Sequence, residues 1–232
     1  MSQLPLDLGH LPALGREDFL VAQSNAEAVA WLERWPGWDR HALALWGPAG
    51  SGKTHLAHVF AARVRAAGAE ACFIDPTSLT VETVPLLLGD ARAAIIDGAE
   101  RAPEAALLHL HNFIAERDGS LLLLSREPPA RWGVKLADLR SRLNAIPAVA
   151  LAPPDDALLA AVLVKLFADR QLTVGEDVVA WLLRHIERSF IGVRDAVAAL
   201  DRAALAEKRA VTVALARRVI GAAEEPGLFG RD

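Results

Sequence analysis

Apolar residues in the first two thirds of the chain form short runs that are separated by longer amphipathic stretches. Five of these runs have the length of a strand and are apolar at nearly every position: residues 42–46, 71–74, 93–96, 121–124 and 148–151. Strands without polar alternation are typical of a parallel sheet that helices cover on both faces. Residues 54–67 and 105–117 lie between them and carry helical patterns. The alternation predicts an α/β domain with a five-stranded parallel sheet.

The pattern changes after Pro153 and Pro154, because every later periodic stretch has the spacing of a helix. The four predicted helices cover residues 155–170, 176–188, 191–208 and 212–223. Asp155 and Asp156 stand where the N-cap of the first helix is expected, and Thr212 can cap the last one. We therefore expect a small all-helical domain. The predicted division is a tail at 1–9, an α/β domain at 10–153, a helical domain at 154–223 and a second tail at 224–232.

Composition narrows the class of protein. The chain has 232 residues, of which 53% are hydrophobic, and a formal net charge of −4 without a long basic run. Broad binding to DNA phosphates is not favoured, because it requires clustered Lys and Arg. Cys72 is the single cysteine, which excludes an intramolecular disulfide and a cysteine-based zinc cluster. No signal peptide or membrane-spanning run is evident, so we expect a cytoplasmic protein that does not enter the membrane.

A phosphate-binding loop follows the first predicted strand. Its residues are Gly47, Pro48, Ala49, Gly50, Ser51, Gly52, Lys53 and Thr54. Glycines at this spacing let backbone N–H groups turn toward phosphate oxygens at the start of a helix. Lys53 can reach the β- and γ-phosphates, and the Thr54 hydroxyl can coordinate Mg²⁺. The sequence therefore predicts a site for ADP or ATP with Mg²⁺, and it leaves open which nucleotide is the working ligand.

A carboxylate ends the third predicted strand. Asp97 is expected to hold the Mg²⁺ together with Thr54, as the corresponding acid does in P-loop NTPases. The next residue is Gly98, where many hydrolases with such a loop carry a second acid that polarises the attacking water. Glu100 follows two residues later and is expected to point elsewhere. We therefore expect nucleotide binding with weak or no hydrolysis by the chain itself.

Several further motifs resemble those of the bacterial initiator DnaA and its shorter relatives, which are AAA+ proteins. They are Asp18-Phe19-Leu20-Val21 with Ser24-Asn25, Gly52-Lys53-Thr54-His55-Leu56, Ser125-Arg126-Glu127-Pro128-Pro129, Leu139-Arg140-Ser141-Arg142-Leu143, Gly192-Val193-Arg194-Asp195, and the final helical stretch 210–216. Each later motif is weakly specific alone, whereas their order and spacing are specific together. The similarity covers nearly the whole chain and implies an AAA+ nucleotide-binding domain followed by a helical lid.

The resemblance also implies roles for individual residues. His55 extends the phosphate loop, Ser125 stands at sensor 1 as a reader of the γ-phosphate, and Arg194 stands at sensor 2 on the lid. The family usually has Asp where Arg126 stands, so the chain departs from the family pattern at sensor 1. Arg142 corresponds to an arginine finger that acts on the nucleotide of another protein, with Arg140 as the alternative.

The first residues resemble a peptide that docks on the replicative sliding clamp. Its contacts would be made by Gln3, Leu4, Leu6 and Leu8. DnaA continues into a helix-turn-helix domain that binds DNA, and this sequence has no such segment after the lid. A DnaA-like body with a clamp peptide resembles the Hda family of DnaA homologues, which inactivate the initiator. Members of that family often lack the second acid as well.

The function that this resemblance implies is negative regulation of replication initiation. Nucleotide-bound and docked on the clamp, the protein would promote hydrolysis of ATP on DnaA. Direct sequence-specific DNA binding is not expected. Three alternatives remain open: a self-sufficient ATPase or kinase, a DNA-binding initiator fragment, and an adaptor or loader for another replication protein. The oligomeric state also stays open, including a homodimer that covers Arg142.

Overall fold

The computed structural model describes residues 20–38 and 40–224. The α/β part runs α1 (Ala26–Glu33), β1 (Ala42–Trp46), α2 (Lys53–Ala66), β2 (Ala71–Ile74), α3 (Val84–Leu88), β3 (Ala93–Asp97), α4 (Glu104–Glu116), β4 (Ser120–Ser125), α5 (Ala137–Ala145) and β5 (Ala148–Ala150). The helical part contains α6 (Asp156–Ala168), α7 (Glu176–His185), α8 (Phe190–Glu207) and α9 (Val213–Glu224). Two 3-10 turns, Ala99–Arg101 and Pro129–Arg131, follow β3 and β4.

The strands form one sheet in the order β2-β3-β4-β1-β5. The registers place Trp46 opposite Ser125 and Asp97 opposite Leu124 in parallel pairs. The carboxyl ends of β1, β4 and β3 therefore meet at one edge of the sheet. Ligands of open parallel sheets bind at this edge. The predicted five-stranded parallel sheet with helices is confirmed.

Apolar residues of the central strands β3, β4 and β1 are buried, apart from the half-buried Trp46, as a parallel sheet between helix layers requires. The edge strands are less covered, since Phe73 of β2 is exposed. On the α2 side, Phe60 is completely buried between two tryptophans. Trp38 stacks on its ring with centroids 5.1 Å apart, and Trp35 meets it edge-on at 5.9 Å. Truncation of such a core phenylalanine to alanine costs about 3–5 kcal/mol of stability. The cluster therefore anchors α2, which begins with Lys53.

The helices α6 to α9 share a separate core that includes Leu163, Phe167, Leu182 and Leu200. The predicted N-cap Asp155 is confirmed, since its side chain accepts a hydrogen bond from the Leu158 N–H at 2.8 Å. The other predicted cap is confirmed as well, because the Thr212 hydroxyl accepts from the Leu215 N–H at 3.3 Å. These caps satisfy amides that a helix leaves unpaired at its start.

Contacts between Cα atoms divide the described chain into two compact units. The first contains residues 29–46 and 53–149, with all but the last residue of the sheet, and the second contains 20–28, 47–52 and the helical residues from 150 onward. The phosphate loop thus groups with the helical residues, and the boundaries drawn from sequence stay a prediction. The first predicted tail lies outside the described residues, and so does the second beyond residue 224. Within the described ranges, no helix is long and apolar enough to cross a membrane.

Candidate functional site

Two oxygen ligands meet at the edge of the sheet where β3 ends. The Thr54 hydroxyl, in the first turn of α2, donates a hydrogen bond of 2.6 Å to the Asp97 carboxylate. An alcohol beside a carboxylate is the oxygen donor set that Mg²⁺ takes, together with waters and substrate phosphates. Among the described residues there is no group of three or more His, Cys, Asp or Glu side chains that could hold a metal. A Mg²⁺ at this edge would therefore rely on phosphate and water for its remaining ligands.

Lys53, the first residue of α2, is only 9% exposed. Burial lowers the pKa of its ammonium, because a charged group loses water there. The carboxylates of Asp97 and Glu100 oppose this decrease, and the nearby Arg126 guanidinium adds to it. Glu100 therefore lies close enough to Lys53 to act on its charge. An anionic ligand next to Lys53 would restore the favourable surroundings of the ammonium, which suits this position to phosphate.

Gly98 has a left-handed backbone conformation, with φ of 77°. A side chain there would be strained, and its Cβ would also stand 2.6 Å from the Nε of Arg101. The same guanidinium donates a hydrogen bond to the Asp97 carbonyl at 3.3 Å. Arg101 thus covers the position at which related hydrolases carry their second acid. Arg101 was not predicted from the sequence, because nothing in its spacing ties it to Gly98.

The polar end of β4 carries Ser125, which is 1% exposed. Its hydroxyl donates to the Glu127 carbonyl at 2.7 Å, so its proton is committed within the same loop. A residue that binds the γ-phosphate needs a hydrogen-bond donor that is not already used. The neighbouring Arg126 is exposed and carries a positive charge. The assignment of Ser125 to the γ-phosphate stays a prediction.

The phosphate loop makes its own contacts with the start of α8. The Phe190 N–H donates to the Gly50 carbonyl at 3.2 Å. Gly52 has φ of 96°, and a Cβ there would lie 2.9 Å from the Cε2 of Phe190, so only glycine permits this approach. Arg194 lies one helical turn after Phe190 and is exposed. The sensor 2 role of Arg194 stays a prediction. The contact of Phe190 was not predicted from the sequence, although a buried N-cap, Ser189, directly precedes it.

The predicted finger segment forms α5. Leu139 and Leu143 are 1% and 3% exposed, so these two residues fix the buried face of the helix. Arg140 and Arg142 are both exposed. The Arg140 guanidinium donates to the Val134 carbonyl at 3.4 Å, which holds it beside its own loop. Arg142 makes no hydrogen bond or ion pair with the part of the chain that the structure describes.

His111 of α4 lies near α5 and is 8% exposed. Its Nδ1 finds no hydrogen-bond partner among the described residues. Burial lowers the pKa of its imidazole first, and the positive charge of Arg142 lowers it further. A neutral imidazole is therefore favoured here, and it does not compete with Arg142 for an anion.

The predicted site residues not yet described are His55 and the four residues of the clamp peptide. His55 is half-buried in the first turn of α2. The clamp-peptide residues Gln3, Leu4, Leu6 and Leu8 lie outside the described residues.

The lid has a counterpart among known families. Residues 156–220 match the family model described as "Hda, lid domain". Domain III of the Thermotoga maritima replication initiation protein DnaA superposes with a TM-score of 0.79 at 17% identity. That match covers 93% of this chain and 98% of the other.

Other solved structures share the fold at similar identity. The replication initiator DnaA bound to AMPPCP and single-stranded DNA matches with a TM-score of 0.68 and 15% identity, over 85% of this chain and 68% of that one. A variant of RuvB from Thermotoga maritima matches with a TM-score of 0.70 and 15% identity, over 87% and 70%. At these identities the structural matches show the AAA+ fold.

Proposed function

Because this chain is an AAA+ protein of the Hda/DnaA type, we propose that it regulates chromosome replication by promoting hydrolysis of the ATP that DnaA carries. DnaA that has lost its γ-phosphate would open the origin poorly, so a second initiation would be prevented. The proposal is supported by the lid match together with one structural observation, the exposed cation on α5.

The chain would first bind its own nucleotide. Lys53 would contact the β- and γ-phosphates, and the loop from Gly47 to Gly52 would supply backbone N–H groups. Thr54 and Asp97 would hold Mg²⁺, which would screen the phosphate charge when bound. Support comes from the hydroxyl–carboxylate pair and from the buried Lys53 ammonium. A DnaA of the same fold was solved with AMPPCP, and we extend adenine nucleotide binding to this chain.

The observation that carries the proposal is the contrast between the two arginines of α5. Arg140 is held by the Val134 carbonyl, whereas Arg142 is exposed and unengaged by the described residues. A finger that acts on another protein must reach outward, and its guanidinium stabilises charge on the transferred phosphoryl group. We therefore assign the finger to Arg142.

Docking on the sliding clamp would bring the protein to replicated DNA. We assign this step to the peptide that contains Gln3, Leu4, Leu6 and Leu8, in which Gln3 would fill a polar pocket and the leucines an apolar one. A docked complex would raise the local concentration of the finger near DnaA. The resemblance of the peptide to clamp-binding sequences supports this assignment.

The chain itself would hydrolyse ATP slowly. Gly98 supplies no carboxylate, and the Arg101 guanidinium lies over it. A positive charge at that point would disfavour a general base next to the attacking water. The arrangement therefore favours a protein that holds nucleotide and acts on a partner over a self-sufficient ATPase.

A reconstituted assay tests the proposal. ATP-loaded DnaA, clamp loaded on DNA and this protein with ADP or ATP would be combined, and phosphate release from DnaA would be followed. We expect stimulation that requires the clamp and is lost in the Gln3→Ala, Leu6→Ala variant. Ser2→Ala is the matched control, because it changes the same tail outside the peptide contacts.

Two outcomes would contradict the proposal. Clamp binding without any stimulated hydrolysis would favour an adaptor or loader for another replication protein. Rapid phosphate release by the isolated protein, without DnaA, would instead favour a self-sufficient ATPase.

A further inference from the structure

Glu104 joins the start of one helix to the start of another. It is the first residue of α4, and its carboxylate accepts three hydrogen bonds from backbone N–H groups. Lys135 N–H donates to Oε1 at 3.0 Å and to Oε2 at 3.1 Å, and Leu136 N–H donates to Oε2 at 2.7 Å. Both donors lie directly before α5, the helix that carries Arg142.

The start of α5 has no side-chain cap of its own. Its N-cap residue is Leu136, which offers no acceptor. The first amides of a helix lack partners within the helix and carry its positive dipole end. The Glu104 carboxylate, from a different helix, bonds the two amides directly before α5, including that of the N-cap residue Leu136, and brings a negative charge to the positive end of the helix.

Glu104 keeps its charge at physiological pH. The backbone N–H groups of Lys135 and then Leu136 hold the pKa of its carboxyl below its usual range, with smaller contributions from the positive charges of Lys135 and Arg140. Its place in the first turn of α4 also favours the negative form. The contact is consequently a charge-assisted one.

The first residues of α5 are exposed, and Val134, directly before Lys135, packs against the core. Lys135, Leu136, Ala137 and Asp138 are exposed, and the helix is anchored in the core by Leu139 and Leu143. Apolar packing determines which face of a helix is buried but is non-directional, so it resists a small shift along the helix axis weakly. Hydrogen bonds to Glu104 are directional, and they hold Lys135 and Leu136, which lead into α5, along that axis.

We propose that Glu104 is a positioning residue for the arginine finger. It holds the start of α5 so that Arg142 is presented at a fixed point to the nucleotide of the partner. This inference rests on the proposed function, because it gives Arg142 the role described there. Glu104 itself contacts neither substrate nor nucleotide in this role.

The test compares Glu104→Ala and Glu104→Gln with Glu116→Gln in the full-length protein. Glu116 is the matched control, an exposed glutamate at the other end of α4. Two readouts are taken: hydrogen exchange of the Lys135 and Leu136 amides by NMR, and the rate at which ATP on DnaA is hydrolysed in the presence of the clamp. Affinity for ADP is measured alongside, since a general loss of folding would lower it.

For Glu104→Ala we expect lost protection of both amides and a stimulated rate that falls roughly 10- to 100-fold, the cost of misplacing a catalytic group by about 1 Å. Affinity for ADP should not change. Glu104→Gln should give an intermediate rate, because its amide oxygen can still accept from Leu136 while the charge is lost. Glu116→Gln should match the wild type.

A double variant separates positioning from general destabilisation. If Glu104 acts through Arg142, then Glu104→Ala should cause no further loss of rate in an Arg142→Ala background. Additive losses would overturn the inference, and so would an unchanged rate in Glu104→Ala. If the wild-type protein does not stimulate DnaA at all, the proposed function fails, and the positioning role of Glu104 fails with it. Wild-type stimulation that survives Glu104→Ala rejects the positioning role alone.

Discussion

The unit that contains the sheet has cationic side chains in two different environments. At the carboxyl ends of the strands, Lys53 is buried and Thr54 is bonded to Asp97, so the polar groups hold one another in place for a ligand on this chain. On α5, the Arg142 guanidinium is exposed and unengaged by the described residues. The first arrangement is suited to retaining a nucleotide. The second is suited to reaching a ligand that another protein holds.

The largest effect is expected when the exposed cation on α5 is removed. Arg142→Ala should lower the stimulated hydrolysis of ATP on DnaA by about 10³-fold or more, the contribution of an arginine finger. Nucleotide binding by this chain should be unaffected. Phosphate release from DnaA, measured beside the nucleotide affinity of the variant, checks both statements.

Arg140→Ala is the matched control for that experiment, because the two arginines share one helix and are both exposed. Its effect should be small. A larger loss from Arg140→Ala than from Arg142→Ala would reverse the assignment and break the contrast between a held and an unengaged arginine.

The next largest effect is expected when the buried ammonium of Lys53 is removed. Lys53→Ala should weaken ADP binding roughly 10- to 100-fold, since each hydrogen bond between charged partners contributes about 1.5–3 kcal/mol. Calorimetric titration with ADP measures it, and Lys135→Ala, which removes an exposed lysine elsewhere, serves as the comparison. Unchanged affinity in Lys53→Ala would show that the buried ammonium has a structural role instead.

A smaller effect is expected from adding the missing acid. Gly98→Glu should raise the ATPase of the isolated protein by less than about tenfold, because the new carboxylate would be strained at a positive φ and would pair with Arg101. Gly98→Glu combined with Arg101→Ala should be the faster of the two. Steady-state phosphate release measures both rates. Rapid ATP hydrolysis by Gly98→Glu alone would show that Arg101 does not restrain this position.

The smallest expected effect distinguishes two helix caps in the second unit. Ser189→Ala and Asp155→Ala each remove a side-chain acceptor, from the Gly192 and Leu158 amides respectively, and each should cost about 1 kcal/mol. That corresponds to a decrease in Tm of about 2–4 °C for a chain of this size. Ser189→Ala should also weaken ADP binding, since Phe190 next to it bonds to the Gly50 carbonyl. Equal ADP affinity in both variants would contradict this link.

The sheet could be predicted because its strands are apolar at every position, and a short continuous apolar run is typical of a strand buried on both faces. The structure has Asp97 at the end of β3, as expected, and extends β4 beyond its apolar run by Ser120 and Ser125. Ser120 and Ser125 lie outside the apolar pattern because that pattern counts only apolar residues, although both serines are buried. The phosphate loop and Asp97 could be proposed from the sequence because phosphate and Mg²⁺ chemistry restricts the residue types at these positions, and their roles stay predictions.

Helix α5 shows what the sequence could not reveal. Its nine residues, ADLRSRLNA, bury only Leu139 and Leu143 and carry no recognisable cap. The acceptor for the amides that lead into it is Glu104, more than thirty residues earlier in the chain, as the separation of the Leu136 contact shows. Likewise, the approach of Phe190 to Gly52 joins distant segments and leaves no local signal. Contacts of this kind join segments that are far apart in the chain. Local sequence patterns do not reveal them, because neither segment carries a periodic signal of its partner.

The tryptophan cluster gives the protein an internal optical probe. The chain contains six tryptophans and no tyrosine, so its near-ultraviolet emission comes from indole rings alone. Trp35 and Trp38 pack against Phe60 of α2, the same helix that begins with Lys53 and Thr54. Their buried rings should emit at shorter wavelength than solvated ones. Unfolding, or a disturbance of α2 when a nucleotide is captured, can therefore be followed by intrinsic fluorescence without any added label.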